Sequence, residues 1–422
     1  MSVNLTASQV KMDFSTSWLD QLAYKNIISH FSFIKYGHLS IEFNGQMHHL
    51  GQPIQDAEVV ARIKVNHIAV FRHIMLNGSI GAAEMYMLKG WDTPDLLSVT
   101  RLFCLNLANL NELSQKQGVF RKASLKFLQF LNRNSLAGSK KNISAHYDLG
   151  NAFFQSFLDS SMMYSAAVFK NEQSTLTEAA IYKLDLICRK LQLTQQDHLI
   201  EIGTGWGEMA IYAAQNYGCK VTTTTISQEQ FNYAKQKVES LGLTDRVTVL
   251  CKDYRLLTGK FDKLVSIEMI EAVGHKYFEH YFEKCSSLLK SDGLALIQAI
   301  TINDQRYKLA RDNMDFIQRY IFPGGCLPSN EIITRSISRN TDLYLHDLHD
   351  ITHHYAKTLS AWRGRFFDNI DQIKEQGFDE LFCRMWEYYL CYCEAGFQEK
   401  TIHTSQLLFS KPRARLITEI AR

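Results

Sequence analysis

The stretch VSIEMIEAVGHKYF, residues 265–278, places two carboxylates, Glu268 and Glu271, among apolar residues where a strand should end. Acids in such a run need compensating partners, because burying an unpaired charge is costly. An ionised carboxylate only accepts hydrogen bonds, so each calls for donors around it. Upstream, LIEIGTGWGEMAIYAA reads as strand, glycine turn and helix. Gly203, Gly205 and Gly207 let the backbone turn tightly and bring N–H groups and a helix N-terminus up to a bound cofactor. The spacing is GxGxG rather than GxGxxG, and Glu208 directly follows the last glycine. An acid beside a diphosphate would be repulsive, so the pattern favours a cationic cofactor.

Three further positions point the same way. Glu201, two residues before the first glycine, stands where it could receive the ammonium end of S-adenosylmethionine. The next strand, KVTTTTISQEQ, lacks the acid that holds ribose hydroxyls in a nicotinamide dinucleotide site; Thr225, Ser227 and Gln230 stand there instead. After the third strand, CKDYRLL offers Asp253 for an adenine amino group, with Tyr254 and Arg255 beside it. Together these residues predict S-adenosylmethionine as co-substrate.

The elements that must position them alternate. DHLIEIG, CKVTTTTI, RVTVLCKD, FDKLVSIEM and LALIQAITI read as strands separated by helical stretches, which predicts an α/β, Rossmann-like, doubly wound and mostly parallel sheet over 146–422. Residues 1–118 read as a small α+β accessory domain. There, HLSIEFNGQMHHLG predicts a hairpin at Asn44-Gly45, and DAEVVARIKVNHIAVFRHIML and TPDLLSVTRLFCLNLANLNELSQ follow helical periods. Between them, 119–145 reads as a basic amphipathic linker helix. From Lys116 to Lys141 the chain carries seven basic residues and no acidic one, interleaved with Phe and Leu. Such a helix can lie on an anionic lipid surface, or serve as a solvated interdomain helix with its apolar face inward.

Composition bounds the rest. With 422 residues, 46% hydrophobic and 21% charged, the chain is an ordered globular protein of more than one core. A net charge of +3 gives no general attraction to nucleic acid, and none is expected as a partner. Nine cysteines without paired spacing read as free thiols in a reducing compartment. MSVNLTASQVKMDFS has no leader pattern, and no run of about 18 apolar residues occurs, so a cytoplasmic protein is expected. The cluster LHDLHDITHHY holds metal-ligand residue types, but its spacing reads as a polar rim rather than a metal site.

Over residues 140–412 the chain resembles the cyclopropane-fatty-acyl-phospholipid synthase family. The motifs are HYDLGNAFF, MMYSAAVF, EIGTGWG, TTISQEQ, DYR, EMIEAVG, QRYIFPGGCLPS and WEYYLCYCEAGF. The resemblance implies methyl transfer from S-adenosylmethionine to the cis double bond of acyl chains in membrane phospholipids, followed by ring closure. It implies a helical acyl-site insertion at about 302–340. Tyr164, Ser165 and Trp206 in its motifs fall to the cofactor. Its proton acceptor is a bicarbonate held by a glutamate, a histidine, a tyrosine, a cysteine and a backbone amide. Carried onto this chain, the glutamate is Glu271, the tyrosine Tyr355 and the amide that of Ile300. Gln298 replaces the histidine and Ala166 the cysteine, so C-methylation without ring closure, or a non-catalytic lipid-binding relative, stays open as an alternative. Cys393 is expected to line the site, and Tyr164, Tyr320, Phe322, Tyr355, Tyr388 and Tyr389 are available to face a carbocation. Glu268, at the strand's end, reads as the weaker candidate, either a rim residue or one that supports the site from behind. The implied setting is the inner face of the membrane, with peripheral attachment; a homodimer is compatible with it.

Overall fold

The computed structural model describes residues 17–30, 34–109, 149–415 and 420–421, so the basic segment expected to be a linker helix lies outside the described residues. The chain divides into two compact units. One takes its described residues from the N-terminal segment, Asn313–Ile321 and Trp362–Thr401; the other comprises most of the rest.

In the N-terminal unit, β1 (His38–Phe43) and β2 (Gln46–Gly51) form the expected antiparallel hairpin. Asn44 and Gly45 both have positive φ, 50° and 75°, as a type I′ turn requires. The helical reading that follows is corrected at its start. Residues 60–65, VARIKV, form β3 (Val60–Val65), which pairs parallel to β1, and the helix begins only at Ala69. The alternation exposed–buried along β3 is the period of a strand with one face on the core. With β4 (Trp91–Asp92) the sheet order is β2-β1-β3-β4. Asp95 caps the helix Leu96–Leu105 by accepting from the Ser98 N–H. The helix Glu380–Gln398 belongs to this unit. Thr100 Oγ1 donates to the Cys391 carbonyl at 3.1 Å, and Tyr86 Oη donates to Glu387 at 2.7 Å. Buried Glu84 accepts from Tyr320 Oη at 2.5 Å and pairs with Arg319 at 3.0 Å. Residues 313–321 and 362–401, which the sequence assigns to the methyltransferase domain, thus pack with the N-terminal segment.

The second unit is built on a seven-stranded sheet. β5 (His198–Ile202), β6 (Lys220–Thr225), β7 (Val247–Cys251), β8 (Phe261–Ile267) and β9 (Leu289–Ile302) are the five expected strands, all parallel to one another. Two more, β10 (Tyr344–Asp350) and β11 (Ile402–Ser410), extend it antiparallel, giving the order β10-β11-β9-β8-β5-β6-β7. The LHDLHD cluster is therefore an edge strand. Successive residues such as Leu199 and Ile200, Val265 and Leu264, Leu296 and Ile297, Leu408 and Leu407 are buried in cores on opposite faces. That pattern is what a sheet covered on both sides demands, and it explains why the strands read as near-continuous apolar runs. Helices Leu176–Lys190 and Glu208–Tyr217 contribute to one core, Phe278–Leu288 and Asn330–Asn340 to the other. The first of these carries a complete capping box between Thr175 and Glu178.

Candidate active site

The site lies where β5 and β8, adjacent at the centre of the sheet, deliver their C-terminal ends. Open α/β sheets bind ligands at that edge. After β5 the turn has φ of 102°, 51° and 92° at Gly203, Gly205 and Gly207. The N–H groups of Gly203 and Thr204 donate to the Thr224 carbonyl at 3.0 and 3.1 Å, which ties the turn to β6. A side chain at Gly207 would bring its Cβ to 3.0 Å of Ala234, whereas at Gly205 it would meet nothing within 4 Å. Gly207 thus serves packing, and the space at Gly205 is open for a ligand to approach the backbone. That opening, at a helix N-terminus, fits the co-substrate the sequence predicts.

Around the turn, several expected ligands also hold one another. Glu201 is 2% exposed and accepts from Thr223 Oγ1 at 2.6 Å. Burial pushes its pKa up to about 8, against the opposing effects of that bond and of the Lys183 charge. Thr225 Oγ1 donates to Gln230 Oε1 at 2.9 Å, and Ser227 caps the helix Gln228–Ser240 by accepting from the Gln230 N–H. Asp253 is gripped by the Arg255 guanidinium at 2.9 and 2.6 Å, while Tyr254 packs edge-on against Tyr281. Trp206 donates to Asn151 at 2.8 Å and packs on Phe154. Tyr164 is surrounded by the rings of Phe154, Phe157 and Phe322, and Ser165 accepts from the fully buried Lys183 at 2.7 Å. Contrary to the expectation from sequence, Glu208 is bonded to Lys237 at 2.5 Å, so its charge is neutralised and would not repel a diphosphate strongly.

The two carboxylates after β8 have partners different from those expected. Glu271 Oε1 accepts from the Ile300 N–H, while its Oε2 is buried and has no partner. Burial, with the charge of Glu268 beside it, pushes the Glu271 pKa up to about 8. Its carbonyl accepts from the Cys326 N–H at 2.8 Å, which docks the turn after Phe322 beneath it. Glu268, read from sequence as the weaker candidate, receives the other donors instead. Its Oε1 accepts from the Ala166 N–H and from Gln298 Nε2, both at 2.8 Å, and its Oε2 accepts from Tyr355 Oη at 2.7 Å. Burial raises its pKa, opposed by those three bonds and by the Lys183 charge.

Glu268 also adopts φ of 49°, a left-handed conformation that costs a non-glycine residue about 1–2 kcal/mol. Gln298 is in turn fixed by Gln406 on β11, whose Nε2 donates to its Oε1 at 3.0 Å. The residues that the resemblance gathers round one anion are thus divided: the Ile300 amide serves Glu271, and Gln298, Tyr355 and the Ala166 amide serve Glu268. Cys393 lies in the N-terminal unit with Tyr320, Tyr388 and Tyr389. Burial pushes its thiol upward in pKa, away from the thiolate a nucleophile needs.

The architecture and the sequence match known proteins. A family model described as mycolic acid cyclopropane synthetase matches residues 134–407, more than half of the chain. The chain belongs to this family. It is 38% identical over 78% of its length, and 78% of the relative's, to tuberculostearic acid methyltransferase UfaA1 of Mycobacterium tuberculosis. It is 36% identical to the cyclopropane-fatty-acyl-phospholipid synthase of Escherichia coli K12, over 83% of this chain and 88% of that one. Among solved structures, mycolic acid cyclopropane synthase CmaA1 in complex with SAH and CTAB superposes with a TM-score of 0.61 at 32% identity, covering 64% of this chain and 98% of that one. As a member of the cyclopropane synthase family, the protein is an S-adenosylmethionine-dependent methyltransferase with a Rossmann-like sheet.

Proposed function

We propose that the protein transfers the methyl carbon of S-adenosylmethionine to the cis double bond of unsaturated acyl chains in membrane phospholipids and closes a cyclopropane ring. The observation that carries this reading is a donor-lined pair of carboxylates one strand away from an open glycine turn, beside the aromatic cluster of Tyr164, Phe154, Phe157 and Phe322. The co-substrate supplies an electrophilic methyl on a sulfonium. This chain's residues do the rest. The glycine turn and the Thr225–Ser227–Gln230 cluster hold and orient, and a cation beside Glu201 would favour its ionised form against the burial that raises its pKa. Aromatic faces stabilise a carbocation by about 0.5–2 kcal/mol each when water is excluded. A base must then remove one proton from the transferred methyl.

The base that the resemblance implies is bicarbonate. In this chain the donors it would need, apart from the Ile300 amide held by Glu271, are bonded to Glu268. They do not fit a free anion, and no step here runs through one. Among the described residues no helix is long and apolar enough to cross a membrane. Access to acyl chains is therefore proposed to occur from the inner surface, by peripheral attachment, as a monomer or homodimer.

A second reading is C-methylation without ring closure, favoured by the similarity to a relative named as a tuberculostearic acid methyltransferase. Incubation with methyl-labelled S-adenosylmethionine and phospholipid vesicles, followed by mass analysis of the released fatty acids, separates them. Label in lipid with the alkene lost supports cyclopropane formation. Label with an alkene retained supports C-methylation, and unlabelled lipid defeats both.

A further inference from the structure

Glu268 sits in a cradle assembled from three separate parts of the second unit. The Ala166 N–H comes from the loop before helix Leu176–Lys190, Gln298 from β9, and Tyr355 from the helix that follows β10. The orientation of Gln298 is set by Gln406, its cross-strand partner on β11, which donates to the amide oxygen and leaves Nε2 for the carboxylate. Ala166 and Gln298 stand where the resemblance has a thiol and an imidazole. A methyl and a neutral amide leave room and donors for a side-chain carboxylate in their place.

Two further observations locate it at the reacting end of the fold. The backbone of Glu268 is in the left-handed region, held there by its N–H donating to the Gln298 carbonyl at 2.8 Å. A strained residue whose side chain is held by three donors is the pattern of a positioned functional group. Its neighbour Met269 packs over the first residue of the glycine turn, since a Cβ at Gly203 would lie 3.3 Å from Met269 Cγ. Beside it, Glu271 has one donor and a buried oxygen without a partner. Two adjoining carboxylates share their protons, and the one that accepts more hydrogen bonds ionises first. With three donors against one, Glu268 holds the charge and Glu271 the proton.

We propose that the Glu268 carboxylate is the built-in proton acceptor of the reaction, standing in the position where the resemblance places a bound bicarbonate. This rests on the acyl-methylation reading above. The alkene electron pair forms a bond to the methyl carbon as the sulfonium carbon–sulfur bond breaks, and its electrons leave on the sulfur of S-adenosylhomocysteine. Positive charge is left on the other alkene carbon. A Glu268 oxygen takes a proton from the new methyl group, and the freed C–H electron pair forms the second carbon–carbon bond of the ring. The resulting carboxylic acid then returns its proton to water.

The test uses the full-length enzyme and carbon-dioxide-stripped buffers. Wild-type turnover is expected to be the same within about twofold with and without added bicarbonate. Glu268→Gln keeps an acceptor oxygen for the donors but removes the base, and turnover is expected to fall by roughly a hundredfold or more, with S-adenosylhomocysteine affinity by calorimetry changed by less than about twofold. Glu268→Gly relieves the backbone strain and opens the cradle. Carbon-13-labelled bicarbonate should then bind to this variant but not to wild type, seen by NMR, and should restore turnover by roughly tenfold or more. Bicarbonate binding to wild type, bicarbonate-dependent wild-type turnover, or an active Glu268→Gln enzyme would each overturn the proposal. Should either variant fail to fold, the wild-type binding and turnover measurements decide alone. Should wild type place no label in lipid, the acyl-methylation reading fails, and the NMR comparison still judges whether Glu268 fills the anion position.

Discussion

Replacing Tyr355 by Phe removes one oxygen and keeps the ring, so it isolates the bond from Oη to Glu268. Tyr355 is 6% exposed and the bond is 2.7 Å long. A hydrogen bond to a charged partner contributes about 1.5–3 kcal/mol, and each 1.36 kcal/mol corresponds to a factor of ten in rate. Loss of that bond from a functioning carboxylate should therefore lower kcat/KM by about 10- to 150-fold.

The sign with pH follows from which form the hydroxyl stabilises. It donates to the ionised carboxylate, and burial already raises the Glu268 pKa. Removing the donor raises it further, so the acidic limb of the rate profile moves to higher pH. The loss should be deepest in acid and should shrink as pH rises. The assay is kcat/KM against pH, with phospholipid vesicles and labelled S-adenosylmethionine, alongside calorimetric binding of S-adenosylhomocysteine to confirm an intact cofactor site. A loss of equal depth at every pH would mean that Tyr355 acts only through packing. Less than about a threefold loss on the acidic limb would mean the bond has no part in the reaction.

Other expectations follow from the same geometry. The pKa of Glu271, raised from 4.5 to about 8, means the folded protein binds more protons than the unfolded chain in that window, so its stabilising contribution is complete below about pH 4.5 and is lost as pH rises through 8. Glu271→Gln should accordingly raise the melting temperature near pH 8 and leave it nearly unchanged near pH 4.5; a shift that ignores pH would contradict this. Gly207→Ala, with φ of 92° and a neighbour at 3.0 Å, should melt several degrees earlier than wild type by differential scanning calorimetry. Gly205→Ala meets no neighbour within 4 Å and should cost only the backbone term of about 1–2 kcal/mol, yet weaken S-adenosylhomocysteine binding more than its stability loss accounts for. Calorimetric affinity equal to wild type in the Gly205 variant would remove that glycine from the cofactor site.

What could be read from residues alone depends on how far apart the interacting parts lie. The Asn44-Gly45 hairpin and the five parallel strands are local or near-local patterns, and they are present as expected. β3 is mistaken for helix because VARIKVNHIAV continues into a true helical period, and the change at Asn66 has no glycine or proline to mark it. β10 is polar because it lies at the sheet edge with several residues exposed, so its sequence carries little strand signal.

The site shows the same limit. Glu201, the glycines, Gln230 and Glu271 come from contiguous motifs. The partners of Glu268 lie 102, 30 and 87 residues away along the chain, and no local rule joins them. The available signal was a correlated one: a second acidic residue, at 268 beside Glu271, accompanies the replacement of a thiol and an imidazole by Ala166 and Gln298. Likewise, the grouping of 362–401 with the N-terminal segment depends on contacts nearly 300 residues apart, such as that of Thr100 with Cys391.

The position of β11 has a consequence for biosynthesis. It is the last strand of the sheet in chain order, yet it lies inside, between β10 and β9, and follows the excursion of residues 362–401 through the N-terminal unit. A ribosome-bound chain that has not yet released β11 leaves one edge of the apolar β9 unpaired, β10 without any strand partner, and Gln298 without the partner that orients it. Unpaired edges of apolar strands invite association with other chains. Methyl-transfer competence should thus arrive late and all at once during synthesis, and the nascent chain should depend on chaperone shielding until its final strand is inserted.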